Sequence, residues 1–140
     1  MLENPERCPP RSRNAFAGKH QRFAPKGAYK TGGSGTWLTG SYDVATNTIL
    51  WGVGNPGPWL ATMRPGDNLY SDSLIAPNPA TGKIKWHYQY TPNDTSDCDG
   101  VNEPVLTSLN YQGKTYKAVV SASRNGWFYA INRERRSSAT

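Results

Sequence analysis

From Thr31 onward the chain is a series of short apolar-rich runs, broken about every eight to twelve residues by Gly, Pro, Asn and Asp. The runs Thr36–Tyr42 (TWLTGSY) and Thr48–Val53 (TILWGV) flank Asp-Val-Ala-Thr-Asn, and the pattern predicts a hairpin. Ser73–Ala76 leads through Asn78-Pro-Ala-Thr-Gly82 to Lys85–Tyr90. Thr107–Tyr111 leads through Gln112-Gly113-Lys114 to Tyr116–Ser121, and Trp127–Ile131 follows a turn at Arg124-Asn125-Gly126. Seven short strands with regular turn signals predict an all-β chain of the sandwich, barrel or propeller kind. Residues 1–28 show neither a period of two nor a helical stripe and carry four prolines, so they read as a disordered lead-in. A frayed tail is expected over 134–140.

Composition agrees with this reading and adds a limit. Fourteen Gly, eleven Pro, five Trp and eight Tyr describe turns and large aromatics rather than helices. A hydrophobic share of 36% in 140 residues supports some core but not a generous one. The net charge of +6 lies mostly in the first thirty residues. Beyond them nine basic residues face eight acidic ones, so the body lacks the cationic surface that nucleic acid requires. No apolar run is long enough to span a bilayer, and the N-terminus lacks the apolar stretch of a secretory signal. Cys8 and Cys98 lie far apart in unlike contexts and are expected as unpaired thiols.

Residues 55–68 (NPGPWLATMRPGDN) interrupt the strand rhythm, and long irregular loops on β scaffolds tend to carry function. Gly52-Val-Gly54-Asn-Pro-Gly57 matches G-x-G-x-x-G, but a dinucleotide site needs a helix opening at that loop. Pro56 and Pro58 exclude one. The glycines instead suit a tight backbone path beside something bulky.

Over residues 29–133 the sequence resembles the PQQ-dependent (pyrroloquinoline quinone) methanol and alcohol dehydrogenases. The resemblance is carried by Lys30-Thr-Gly-Gly33, Thr36-Trp-Leu-Thr-Gly-Ser-Tyr-Asp43, Trp51-Gly-Val-Gly-Asn-Pro-Gly-Pro-Trp59, Arg64-Pro-Gly-Asp-Asn-Leu-Tyr70, Asp97-Cys-Asp-Gly-Val-Asn-Glu-Pro104 and Arg124-Asn-Gly-Trp-Phe-Tyr129. It implies about two blades of an eight-bladed β-propeller whose blades are tied by tryptophan-docking motifs. Ala76-Pro-Asn-Pro-Ala-Thr-Gly82-Lys-Ile-Lys-Trp86 fits that motif, with Asn78 where the family has Asp.

The resemblance also implies a chemistry. Trp37 would be the floor on which the flat quinone stacks. Asn55, Asp97 and Asp99 would offer oxygens to a metal ion, Ca²⁺ or a trivalent lanthanide, and the second carboxylate at Asp99 suits the higher charge. Asp97 would be the general base that takes the hydroxyl proton of a primary alcohol, and Arg124 would bond the cofactor's oxygens. A c-type cytochrome as electron acceptor and a periplasmic location follow for the complete enzyme. Departures from the pattern stand beside these expectations: Ser96 and Cys98 replace the aromatic neighbours of Asp97, which predicts a loosely packed loop, and with few blades present the chain alone is expected to be inactive. A non-catalytic propeller scaffold or an inactive remnant is the alternative, against which the set Trp37, Asn55, Asp97 and Arg124 argues.

Overall fold

The structure, a computed structural model, describes residues 26–134. Most of the expected lead-in, including Cys8, and all but Glu134 of the expected tail lie outside the described residues. Among these described residues seven strands form: β1 (Ser41–Asp43), β2 (Thr48–Val53), β3 (Ser73–Pro77), β4 (Ile84–Gln89), β5 (Val105–Tyr111), β6 (Lys114–Ala122) and β7 (Phe128–Asn132). They make two antiparallel sheets, β1-β2-β3-β4 and β5-β6-β7, each strand pairing with its neighbour in sequence. The only helical pieces among the described residues are 3₁₀ turns at Ala28–Lys30 and Ala61–Met63. The second lies in the loop where the prolines argued against a helix.

Two strand boundaries differ from expectation, each for a local reason. The run from Thr36 pairs only from Ser41, opposite Leu50. Gly40 sits so close to β2 that a Cβ there would lie 2.4 Å from the Leu50 carbonyl oxygen and 2.5 Å from the Trp51 ring. The chain before it leaves the sheet, and the Gly35 carbonyl instead accepts the Gly54 N–H at 2.8 Å. In the second sheet, Gln112 and Gly113 both take positive φ (50° and 75°), the two-residue turn that matches strand twist. The pairing therefore extends to Tyr111 and Lys114, with Val105 opposite Val120 at the other end.

The core lies between the sheets. Leu50, Leu74, Ala76, Trp86 and Tyr90 from the first sheet and the segment after it cluster with Val119 and Ile131 of the second. Trp86 is brought there by the turn before it: Asn78 accepts the Gly82 N–H on its carbonyl (2.8 Å) and the Ala80 N–H on its side chain (2.9 Å). The amide at Asn78 thus performs the turn-forming task of the aspartate it replaces. A second link between sheets is the nearly buried pair Arg133–Asp43, at 3.3 Å.

Candidate functional site

Within each sheet every strand runs antiparallel to the one before it, so alternate connections fall at the same end of that sheet. The segment entering β1, the β2–β3 loop, the β4–β5 loop and the β6–β7 turn all share one end. These four carry Trp37, Asn55, Asp97 with Asp99, and Arg124 respectively. Bridging contacts hold them together: Val53 pairs with Gly100, and the Ser41 hydroxyl donates to the Pro104 carbonyl at 2.5 Å.

At the centre is Asp99. Its Oδ1 accepts the backbone N–H of Asn55 at 3.2 Å, and its Oδ2 accepts Nη1 of Arg124 at 2.5 Å. Asp99 is buried, whereas the Arg124 side chain is 57% exposed, so the guanidinium reaches inward from the surface. Burial raises the Asp99 carboxyl above the usual carboxylate range; the Asn55 N–H opposes the rise, Asp97 adds to it, and Arg124 offsets it. Gly54 lies beside this pair because nothing larger fits. A Cβ there would come within 2.6 Å of the Trp37 ring and 3.2 Å of Asp99 Oδ1. Trp37 otherwise faces outward at 57% exposure, an open aromatic surface backed by glycine. Asp97 is exposed, in left-handed backbone with φ 59°.

The loops are held by residues that sequence reasoning did not single out. Arg64 is buried and donates to five acceptors: the carbonyls of Pro58, Trp59 and Asp94, and the side chains of Asn68 and Asn93. It ties the Asn55 loop to the Asp97 loop. Its place in the Arg64-Pro-Gly-Asp-Asn motif was the available signal. The Asp94 carboxylate accepts the N–H groups of Ser96 and Cys98, at 2.8 and 2.6 Å. Cys98 is buried and disulfide-bonded. This corrects the expectation of an unpaired thiol, and the two Asp94 bonds tie down a loop that was expected to be loosely packed. Asn125 fixes Arg124 from the next position, its side chain donating to the Tyr129 hydroxyl at 2.7 Å and to Thr91 Oγ1 at 3.2 Å.

Asp72, immediately before β3, is the second residue missed. It is wholly buried, and neither carboxyl oxygen has a hydrogen-bond partner. The Thr91 hydroxyl favours the charged form. Burial dominates and pushes this carboxyl up to about 7, with Asp94 and Asp99 adding to the rise.

These features fit a flat anionic cofactor and a hard cation. The open Trp37 ring suits stacking, the glycine cradle leaves room beside Asp99, and Asn55, Asp97 and Asp99 supply only oxygen donors, as hard cations need. The fit is partial: among the described residues no three His, Cys, Asp or Glu side chains gather closely enough to hold an ion by themselves. A cavity of about 470 Å³ opens elsewhere, between Thr31–Ser34 and Pro56–Arg64, and none of the five site residues lines it. No helix among the described residues is long and apolar enough to cross a membrane.

Paired antiparallel sheets with the site gathered at one end define a portion of a β-propeller, and comparison with known proteins agrees. Residues 12–135 match the family model for the PQQ glucose/ethanol/alcohol dehydrogenase β-propeller domain. The chain belongs to this family of PQQ-dependent dehydrogenases. It is 56% identical over 111 residues to the quinoprotein alcohol dehydrogenase PedH of Pseudomonas putida, covering 78% of this chain and 18% of that protein. It is 44% identical over 105 residues to a lanthanide-dependent methanol dehydrogenase of Methylorubrum extorquens, covering 75% of this chain and 18% of that one. A europium-containing methanol dehydrogenase structure superposes with a TM-score of 0.75 at 42% identity, covering 80% of this chain and 20% of the other. The chain thus spans about a fifth of the length of the relatives it matches.

Proposed function

We propose that the end of the sheets bearing Trp37, Asn55, Asp97, Asp99 and Arg124 is one wall of a site that oxidises a primary alcohol to an aldehyde. The site works within a protein that carries the rest of the relatives' span. Trp37 offers its open ring as a stacking surface for PQQ. The Asn55 amide and the carboxylates of Asp97 and Asp99 hold the metal ion, calcium or a lanthanide. Bound PQQ supplies the two-electron acceptor. Asp97, exposed beside the buried Asp99, is placed to take the alcohol's hydroxyl proton. Arg124 keeps donors beyond the one given to Asp99, and these suit the cofactor's oxygens. A c-type cytochrome as electron acceptor and the periplasm as setting complete the reading.

The observation that carries it is the continuous link from Arg124 through Asp99 to Asn55 beside Trp37, four residues from four separate connections brought to one place. The test is a chimera in which residues 29–133 replace the matching span of the Pseudomonas putida relative. The chimera is expected to reduce dye in the presence of alcohol, PQQ and metal, and Asp97→Asn to lower turnover at least a hundredfold. A chimera that retains full activity with Asp97→Asn refutes the assignment of the base.

A further inference from the structure

We propose that Asp94 is the positioning residue for Asp97: its buried carboxylate grips the chain on both sides of that residue and so fixes where the Asp97 carboxylate stands. The inference rests on the reading of Asp97 as the group that takes the alcohol's proton, and adds to it the device that keeps that group in place.

Asp97 has φ 59°, a left-handed conformation that is costly for a residue with a Cβ and persists where the surroundings enforce it. The enforcing groups are the two oxygens of one side chain. Asp94 Oδ1 accepts the N–H of Ser96 at 2.8 Å, and Asp94 Oδ2 accepts the N–H of Cys98 at 2.6 Å. The residues immediately before and after Asp97 are thus tied to the same carboxylate. An aspartate often settles its own turn by bonding nearby backbone. Here the bonding oxygens belong to Asp94, and the Asp97 side chain is exposed.

Asp94 is in turn anchored to the neighbouring loop. It is 2% exposed, and its carbonyl accepts Nη2 of the buried Arg64. Arg64 also donates to Asn93 Oδ1 at 2.6 Å, while the Asn93 N–H reaches the Asp67 carbonyl at 3.1 Å. The same guanidinium bonds the carbonyls of Pro58 and Trp59, so Asp94 is fixed to the loop that carries Asn55. Beyond Asp97, Asp99 accepts the Asn55 N–H and Nη1 of Arg124. Asp97 therefore projects from between two anchored carboxylates, its place set by the backbone on either side. A general base works only within hydrogen-bond reach of its proton, and a displacement of about 1 Å costs on the order of a hundredfold in rate. A carboxylate suits position 94 better than an amide, because it offers an oxygen to each N–H and its charge strengthens both bonds. An amide there would turn its own N–H toward one of the two donors.

The first test examines the whole 140-residue chain by NMR. In the parent, Asp97 is expected to show the strong intraresidue HN–Hα NOE of a left-handed residue, and the Ser96 and Cys98 amide protons the downfield shifts of bonds to a carboxylate. Asp94→Ala is expected to lose all three signatures and Asp94→Asn to keep one of the two amide shifts, with the amide spectrum of β5–β7 unchanged in both. The second test places the same substitutions in the chimera that carries residues 29–133. There Asp94→Ala is expected to lower kcat about thirtyfold or more while KM for the alcohol stays within about threefold, and Asp94→Asn to fall between it and the parent. If Asp97 keeps its left-handed signature in Asp94→Ala, or if kcat is unchanged there while Asp97→Asn suppresses it, the proposal fails and the reading of the base stands. If Asp97→Asn leaves turnover unchanged, or the chimera has none, the reading of the base fails and this proposal with it. Loss of fold in both Asp94 variants also overturns the proposal, assigning the residue to structure.

Discussion

The backbone N–H of Asn55 points at Oδ1 of Asp99, 3.2 Å away, across forty-four residues of sequence. The loop after β2 and the loop after β4 are thereby registered to each other. Asp99 uses its other oxygen for Arg124, so two other site residues share its one carboxylate.

Removing that carboxylate should release both. Asp99→Ala is expected to weaken cation binding at least tenfold, equivalent to about 1.4 kcal/mol or more. It should also free the Arg124 side chain. Terbium titration reads the first effect, and the ¹⁵N chemical shift and exchange of the Arg124 guanidinium read the second; unchanged values for both would show that the shared carboxylate organises nothing.

Arg64 supports the same loops through five hydrogen bonds, several to buried acceptors. Arg64→Ala strands those acceptors and is expected to destabilise the fold by about 3 kcal/mol or more in urea unfolding. Arg64→Lys keeps the charge but not the planar fork and should recover less than half of that loss. A variant Arg64→Ala within about 1 kcal/mol of the parent would contradict this picture.

Asp72 sets a pH dependence whose sign follows from its burial. Its carboxyl ionises near 3.8 when unfolded and near 7 when folded. Between those values the folded chain binds more protons than the unfolded one, so stability falls as pH rises through the window. Denaturant midpoints measured in metal-free buffer from pH 4 to 7.5 should decline, and Asp72→Asn should flatten the decline and raise stability at the upper end. A profile unchanged by that substitution would show that Asp72 is not the group responsible.

Gly54 gives a steric prediction. Adding one methyl group in Gly54→Ala places a carbon 2.6 Å from the Trp37 ring and 3.2 Å from Asp99 Oδ1. The ring must move. Tryptophan emission should shift, and sensitised terbium emission should drop several-fold, while the remote core around Trp86 is untouched. Emission identical to the parent's would mean that the ring is not held against the glycine.

Much of this architecture was legible in the sequence because it depends on local pattern. The runs at Thr48–Val53 and Ser73–Ala76, and the turn that delivers Trp86, need only alternation and turn chemistry to be read. Trp37, Asn55, Asp97, Asp99 and Arg124 were legible only through long motifs, since an isolated Asn before Pro or a loop Asp carries no distinguishing mark. The residues that were missed owe their roles to distant contacts. Arg64 draws acceptors from positions 58, 59, 68, 93 and 94. Asp72 is enclosed by Gly54, Tyr90 and Gly100, which no window along the chain brings together. Cys98 likewise has a partner that spacing did not suggest.

The alternation of strand direction has a practical consequence. The turns at Val44–Asn47, Asn78–Gly82 and Gln112–Gly113 all lie at the end opposite the site. Strand β6 alone puts roughly 25 Å between Gln112–Gly113 and the Arg124 turn, at about 3.3 Å per residue. A fluorescent label or affinity tag spliced into Gln112–Gly113 would therefore ride on the far rim, reporting on the molecule without touching its chemistry.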